Sequence, residues 1–320
     1  MVNDTQNIRN QVLAHLFQSK DRFLSGEAMS QALGISRVAV WKHMTALREK
    51  GLDIASGPKG YCLARPDDLL FPFCFSPPLQ TKVSHFFAVD STMNEARKSA
   101  RKGADHLSLV VAETQTSGRG RLNRQWVSSP GGLWFSLILK PKTPPALAYI
   151  YNFIAATSLC QTIHQLYGLT VNAKWPNDLL AGGKKLAGML SEMETRGDMV
   201  HFLNIGIGLN VNNPPAQEVS NTTSLSGLLK RHVPRKELLE AFWNDFAARS
   251  QTIDPDLVIR DWKTRAGTIG RTVRVETQDR TYTGRAIDVD NSGALIIEAE
   301  DGTGDGKQTE NTIYGDCFHT

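Results

Sequence analysis

Residues 113–126 read Glu-Thr-Gln-Thr-Ser-Gly-Arg-Gly-Arg-Leu-Asn-Arg-Gln-Trp. Arg119, Arg121 and Arg124 sit among glycines and small polar residues, with too little apolar content for the segment to fold by itself. A guanidinium is planar, stays charged at ordinary pH, and offers two parallel donors that match carboxylate and phosphate. Glycine lets backbone approach a ligand closely and lets a loop reorder around it. Such a run can also be a solvated excursion or a nucleic-acid-binding tail. This one is short, internal and wedged between two strand-like runs, the second being Leu133–Leu139, which favours a loop that closes over an anion.

Four further elements carry chemistry. Asp90-Ser91-Thr92-Met93-Asn94-Glu95 joins a strand to a helix, where its hydroxyls suit a polar ligand head; Thr92-x-x-Glu95 also has the spacing of a plain capping box. Lys174-Trp175-Pro176-Asn177-Asp178 reads either as an Asx turn or as a holder of a nucleotide and its metal. Lys185 opens an apolar strand after Gly182-Gly183-Lys184, a place for one fixed positive charge beside a pocket, although lysines at strand starts are commonly only solvated. Asn204-Ile-Gly-Ile-Gly-Leu-Asn210 is a strand with spaced glycines, a pattern that accompanies close ligand approach. The chain has no Gly-x-x-x-x-Gly-Lys-Ser/Thr loop, no Gly-x-Ser-x-Gly elbow and no metal-spaced histidine cluster.

The elements that must position these residues fall into three segments. Ile8, Val12, Leu13, Leu16 and Phe17 form a helical stripe over 6–18. A short helix follows over about 26–33, with Ala28, Met29, Ala32 and Leu33 expected inward. After the Gly34-Ile35 turn, Ser36 caps a third helix to about Lys50, with Val40, Met44 and Leu47 inward and Arg37, Trp41, Lys42, Thr45 and Arg48 outward. Two short strands around Gly57-Pro58-Lys59-Gly60 complete a winged helix-turn-helix, whose second helix enters a DNA major groove while the wing reaches phosphate. Winged helices also serve protein contact. Ser36, Arg37, Trp41, Lys42 and Lys59 are the candidate DNA-binding residues.

Pro66, Pro72, Pro77 and Pro78 mark a linker. The middle segment alternates strands (84–89, 108–112, 133–139, 185–194, 201–210) with helices (94–102, 146–167, 235–249), which suits an α/β or α+β catalytic domain. From Thr268 the chain reads as short antiparallel strands of a small barrel. The domains are therefore expected at 1–66, 67–267 (linker 67–78) and 268–320.

The net charge of +4 is uneven: residues 1–66 hold nine Lys/Arg against five Asp/Glu, and the rest is balanced. That places the basic excess on the DNA-binding segment. Hydrophobic residues at 41% provide ample core. No apolar run approaches a membrane span, and the polar start lacks a secretory pattern, so the cytoplasm is the expected compartment and no membrane partner is expected. Cys62, Cys74, Cys160 and Cys317 are scattered, with neither a disulfide framework nor a zinc spacing.

In order along the chain, the winged helix, Ser91-Thr92, Gly118-Arg-Gly-Arg121 with Arg124 and Trp126, Lys174-Trp-Pro-Asn-Asp178, Lys185-Leu-Ala-Gly188 and Gly206-x-Gly-x-Asn210 resemble the bifunctional biotin–protein ligases that also repress biotin synthesis. The chain departs from that pattern at Met93, Asn123 and Gln125. The resemblance implies an α+β multidomain chain: a class II synthetase-like biotin/lipoate-ligase catalytic domain between the winged helix and an SH3-like barrel. It implies that biotin and Mg²⁺-ATP give biotinoyl-5′-AMP, from which biotin passes to a lysine of a biotin carboxyl carrier protein. It further implies an adenylate-bound homodimer on operator DNA.

Carried over by position, Arg119, Arg121 and Lys185 are catalytic, and Ser91, Thr92 and Gln115 join them in binding biotin. Arg121, Trp126, Lys174, Asn177, Asp178 and Asn210 take the nucleotide, with Mg²⁺ arriving on ATP and no fixed protein metal site. A ligase without repression, a sensor-repressor without ligation and a lipoate-type ligase are the competing readings.

Overall fold

The computed structural model describes residues 2–20, 22–214, 221–277, 280–299, 309–312 and 315–319; the remainder of the expected 268–320 domain lies outside them. The chain divides into two compact units, Met1–Thr81 and Lys82–Thr320.

In the first unit α1 (Val2–Gln18) buries Val12, Leu13 and Leu16. α2 (Gly26–Leu33) begins at Ser25, whose hydroxyl accepts from the Ala28 N–H, and ends at Gly34 in the left-handed conformation, φ 63°. It buries only Met29, with Leu33 half-buried; Ala28 and Ala32, expected inward, are exposed. α3 (Arg37–Glu49) buries Val40, Met44 and Leu47. β1 (Ile54–Gly57) and β2 (Gly60–Leu63) form the antiparallel wing. Gly60 is required there: with φ 117°, an added Cβ would lie 2.2 Å from the Leu24 carbonyl oxygen.

The segment expected to open the second domain, 67–78, belongs to the first unit. Its apolar residues are the reason: Leu69, Leu70, Phe71, Cys74 and Phe75 are buried, and the Phe73 ring lies 5.7 Å from that of Phe17. Short 3₁₀ turns at Pro66–Asp68, Pro72–Cys74 and Leu79–Thr81 replace an extended linker.

The second unit runs β3 (Val83–Val89), α4 (Thr92–Arg101), β4 (Ser108–Gln115), β5 (Leu133–Leu139), α5 (Tyr149–Tyr167), β6 (Asn172–Lys174), β7 (Asp178–Ala181), β8 (Lys184–Arg196) and β9 (Met199–Leu209). These strands make one seven-stranded sheet in the order β3-β4-β5-β9-β8-β7-β6. Only β3 and β4, joined through α4, are parallel. α6 (Leu225–Leu229), α7 (Arg235–Arg249) and α8 (Pro255–Lys263) follow. Then β10 (Thr272–Glu276), β11 (Thr281–Val289), β12 (Leu295–Ala299), β13 (Thr309–Thr312) and β14 (Asp316–His319) form a five-stranded antiparallel sheet, answering to the small barrel expected there.

β5 is buried along its whole length, as a central strand covered on both faces must be. α5 is buried on nearly every side; the stretch Pro145–Tyr167 is long and apolar enough to span a membrane, yet 72% of its most apolar window is packed inside the fold. α7 is anchored by a buried ion pair. Arg235 Nη1 lies 2.7 Å from Glu113 Oε2 and donates to the Gly132 carbonyl, while Glu113 Oε1 is 2.9 Å from His85 Nε2. Burial pushes the Glu113 carboxyl up, but Arg235 and His85 prevail and hold it at about 2.

α8 begins with Asp254 as N-cap and Pro255 at the first helical position, a helix start that the sequence itself carries. The expected polar turn at 174–178 is the turn of the hairpin between β6 and β7, with a cis peptide at Trp175–Pro176.

Candidate active site

A cavity of about 340 Å³ opens on the sheet between α4, the arginine loop and β8–β9. The strand register explains why room exists. Gly188 of β8 stands opposite Gly208 of β9, and the Trp126 indole lies across that pair. A Cβ at Gly208 would fall 2.3 Å from the indole Nε1, and one at Gly188 would fall 2.8 Å from Cζ3. Two residues along, Gly206 leaves space for Met93, whose Cγ and Sδ would lie 2.8 Å from an added Cβ. The spaced glycines of β9 thus seat two large side chains that line the cavity.

At one end, Ser91 and Thr92 are buried at the start of α4. The capping box expected at Thr92–Glu95 does not form: Ser91 is the N-cap, and Glu95 pairs with Lys98 at 2.7 Å. The Thr92 N–H and hydroxyl both donate to Gln115 Oε1 (2.7 and 3.1 Å), the Ser136 hydroxyl donates to Thr92 Oγ1 (2.9 Å), and Gln115 Nε2 donates to Ser128 Oγ (2.7 Å). Threonine and glutamine are therefore locked in place by their neighbours. Ser128 and Ser136 are supports that no sequence pattern marked, since isolated serines carry no signal.

The arginine loop forms a small hairpin. The Gly120 N–H donates to the Arg124 carbonyl (2.7 Å) and the Trp126 N–H to the Gly118 carbonyl (2.8 Å), with exposed Leu122 at the tip in a left-handed conformation, φ 51°. Arg119 reaches Glu192 Oε1 at 3.1 Å and donates to Asn94 Oδ1 at 3.0 Å. Arg121 donates to the Gly315 carbonyl at 3.0 Å and to Asn177 Oδ1 at 3.4 Å. Burial draws the Arg121 pKa down, with the charges of Asp316 and Asp178 working against it. Arg124 pairs with Asp316. Neither Glu192 nor Asp316 was among the residues singled out from the sequence; both lie on strands far along the chain.

On the other side, Lys185 Nζ is 2.8 Å from Asp178 Oδ1 and 5.2 Å from the Trp126 ring centroid. Asn177 is held by its Nδ2 donating to the Met189 carbonyl (2.6 Å), and Asn210 by Asn213 Nδ2 donating to its Oδ1 (2.9 Å). The cavity thus gathers Ser91, Thr92, Gln115, Arg119, Arg121, Trp126, Asn177, Asp178, Lys185 and Asn210. Lys174 is the exception. It stands outside the cavity lining, where its charge acts on Cys317 and His319. Burial first, then Lys174 and Arg271, lower the His319 pKa to about 4. Lys174 stands directly opposite Asp178 at the end of the β6–β7 hairpin, on the side towards β14. Among the described residues, no group of three or more His, Cys, Asp or Glu is placed to hold a metal.

In the first unit, Ser36 caps α3 by accepting from the Ala39 N–H at 3.1 Å. Arg37, Trp41 and Lys42 are exposed on α3, and Lys59 at the tip of the wing. Arg37 lies 3.6 Å from Glu27. Arg48, expected outward, turns back to donate to the Ile54 carbonyl (2.9 Å) and joins helix to wing.

Comparison with known proteins agrees with this arrangement. Residues 86–212 match the biotin/lipoate A/B protein ligase family, 8–62 an HTH domain, and 268–320 the biotin protein ligase C terminal domain. The bifunctional ligase/repressor BirA of Bacillus subtilis is 35% identical, over 92% of this chain and 95% of that protein. The protein of the same description from Escherichia coli is 30% identical, over 87% and 89%. In fold, the chain is similar to the biotin protein ligase from Aquifex aeolicus in complex with biotin and ATP, with a TM-score of 0.65 at 24% identity, over 75% of this chain and 99% of that one. Similarity at this level over most of both chains makes this chain a member of the BirA-type family of bifunctional biotin–protein ligases and repressors.

Proposed function

We propose that this chain joins biotin to a lysine of a biotin carboxyl carrier protein in two steps and that its first unit binds operator DNA of biotin-synthesis genes. The observation that carries the reading is the cavity itself. A polar end (Ser91 with the locked Thr92 and Gln115) shares one enclosure with Arg121, Lys185 and the Trp126 indole.

In the first step a biotin carboxylate oxygen attacks the α-phosphorus of ATP, and pyrophosphate leaves. Two anions must meet, so the cost is electrostatic. Arg121 and Lys185, half-buried where water screens them weakly, offset it and stabilise the charge that develops on phosphorus. Lys185 enters this step from its pair with Asp178, which aims the ammonium while leaving donors free for a phosphate oxygen. Arg119 serves the carboxylate from its anchorage on Glu192 and Asn94.

Ser91, Thr92 and Gln115 take the polar ring of biotin, while Trp126, Asn177 and Asn210 take the adenylate. The indole packs one side against the glycine pair and keeps the other for adenine. Mg²⁺ enters with ATP as part of the substrate. In the second step the acceptor lysine amine attacks the acyl carbon and AMP leaves, so no enzyme nucleophile is needed. A closed loop keeps water from the anhydride meanwhile.

On this reading biotinoyl-5′-AMP is both intermediate and corepressor. Its binding favours a homodimer whose two winged helices grip two half-sites in the cytoplasm.

The test is pyrophosphate release from Mg²⁺-ATP by the purified chain with biotin, lipoate or no acid. Release dependent on biotin is expected. Release with lipoate instead would transfer the chain to the lipoate-type reading, and release with neither would leave a sensor without ligase chemistry.

A further inference from the structure

The arginine loop is tied down on two sides, and only one of these belongs to the sheet. Arg119 is held by Glu192 of β8 and Asn94 of α4. Arg121 and Arg124 are held instead by Gly315 and Asp316, where the last strand of the C-terminal sheet begins. Asp316 also lines the cavity, and its side chain is only 12% exposed. The corner is rigid. Gly315 has φ 141°, and a Cβ there would lie 2.7 Å from Val275 Cγ1 and 3.0 Å from the Glu276 carbonyl oxygen, so the backbone packs directly on β10. That close fit presents the Gly315 carbonyl to Arg121 and the Asp316 carboxylate to Arg124 from a fixed platform.

Asp316, like Asp178, puts a carboxylate in the wall of a cavity meant for ATP, where it repels the phosphates. A charge with that drawback needs a reason to be there, and the Arg124 pair supplies one: the pair neutralises Asp316 while tying the loop across the cavity.

We propose that Asp316 is a positioning residue that clasps the arginine loop shut, so that the C-terminal domain sets how long the acyl-adenylate stays in the cavity. The inference rests on the ligase reading for its intermediate. Asp316 acts through Arg124 on the loop, and the same corner aims Arg121 through the Gly315 carbonyl.

The experiment uses the full chain as wild type, Asp316→Asn and Asp316→Glu. Each is loaded with biotin and Mg²⁺-ATP in the presence of pyrophosphatase, and adenylate release is followed by rapid filtration after a chase. In parallel, trypsin cleavage after the loop arginines is timed with and without ligands. Asp316→Asn keeps every loop arginine and should release adenylate about fivefold faster, on the loss of the ion pair with Arg124. It should also be cut faster in the loop, and Asp316→Glu should restore both rates most of the way.

Release and cleavage at wild-type rates in Asp316→Asn would overturn the clasp. So would a lowered KM for ATP with both rates unchanged, because the carboxylate would then act through its charge alone. If Asp316→Asn makes too little adenylate to chase, the cleavage rate of the ligand-free loop decides by the same criterion. A wild-type chain that releases no pyrophosphate with biotin would sink the ligase reading, and the cleavage comparison would still decide the clasp.

Discussion

Gly208 is the seat of Trp126: where a side chain would begin on β9, the indole Nε1 lies 2.3 Å from the place a Cβ would take. The indole therefore owes its position to an absence on the opposite strand. Gly208→Ala forces it away at a cost of about 1–3 kcal/mol. The KM for ATP should rise about tenfold while release stays dependent on biotin. An unchanged KM for ATP, with the variant folded, would remove Trp126 from the nucleotide side.

Arg121 and Lys185 are assigned to the charge that develops at phosphorus. Arg121→Gly or Lys185→Ala should cut adenylate synthesis by about 100-fold or more, as the loss of a preorganised donor does elsewhere. Melting temperatures should change little, since both side chains are half-buried at the cavity rather than in the core. Wild-type rates of adenylate formation in either variant would sink that assignment.

The exposed lysines of the first unit are assigned to phosphate contacts. Lys42→Glu combined with Lys59→Glu should weaken operator binding by about 100-fold and flatten its salt dependence. Biotin-dependent pyrophosphate release should stay at the wild-type rate. Unaltered DNA binding would return the winged helix to the protein-contact reading.

Glu113 links pH to stability. Its folded pKa, about 2, lies below the ordinary 4.5, so it adds stability that is fully present above 4.5 and is lost as pH falls toward 2. Glu113→Gln removes the buried carboxylate that faces both Arg235 and His85 and should cost about 3–5 kcal/mol. Its stability should also decline less steeply than that of wild type between pH 4.5 and 2. Parallel acid-unfolding curves for the two chains would refute the role given to this carboxyl.

Much of this protein is written in local sequence. Helix stripes such as Val12, Leu13 and Leu16 and caps such as Ser36 act over one or two turns. Leu133–Leu139 reads as a buried strand because apolar content alone marks it. The Arg119–Arg124 loop declares an anion by composition, because guanidinium chemistry does not depend on where the loop lies.

What only the tertiary structure decided involves partners distant along the chain. Ser128 and Ser136 lock Gln115 and Thr92 through packing of a loop on β4 and of α4 on β5, which no local pattern encodes. Leu69, Leu70 and Phe71 turned an expected linker into part of the first unit because buried apolar area outweighs proline content. Asp316, nearly two hundred residues beyond the loop it holds, entered the site because folding brings β14 beside the loop, a contact set by three-dimensional packing rather than by any spacing along the chain.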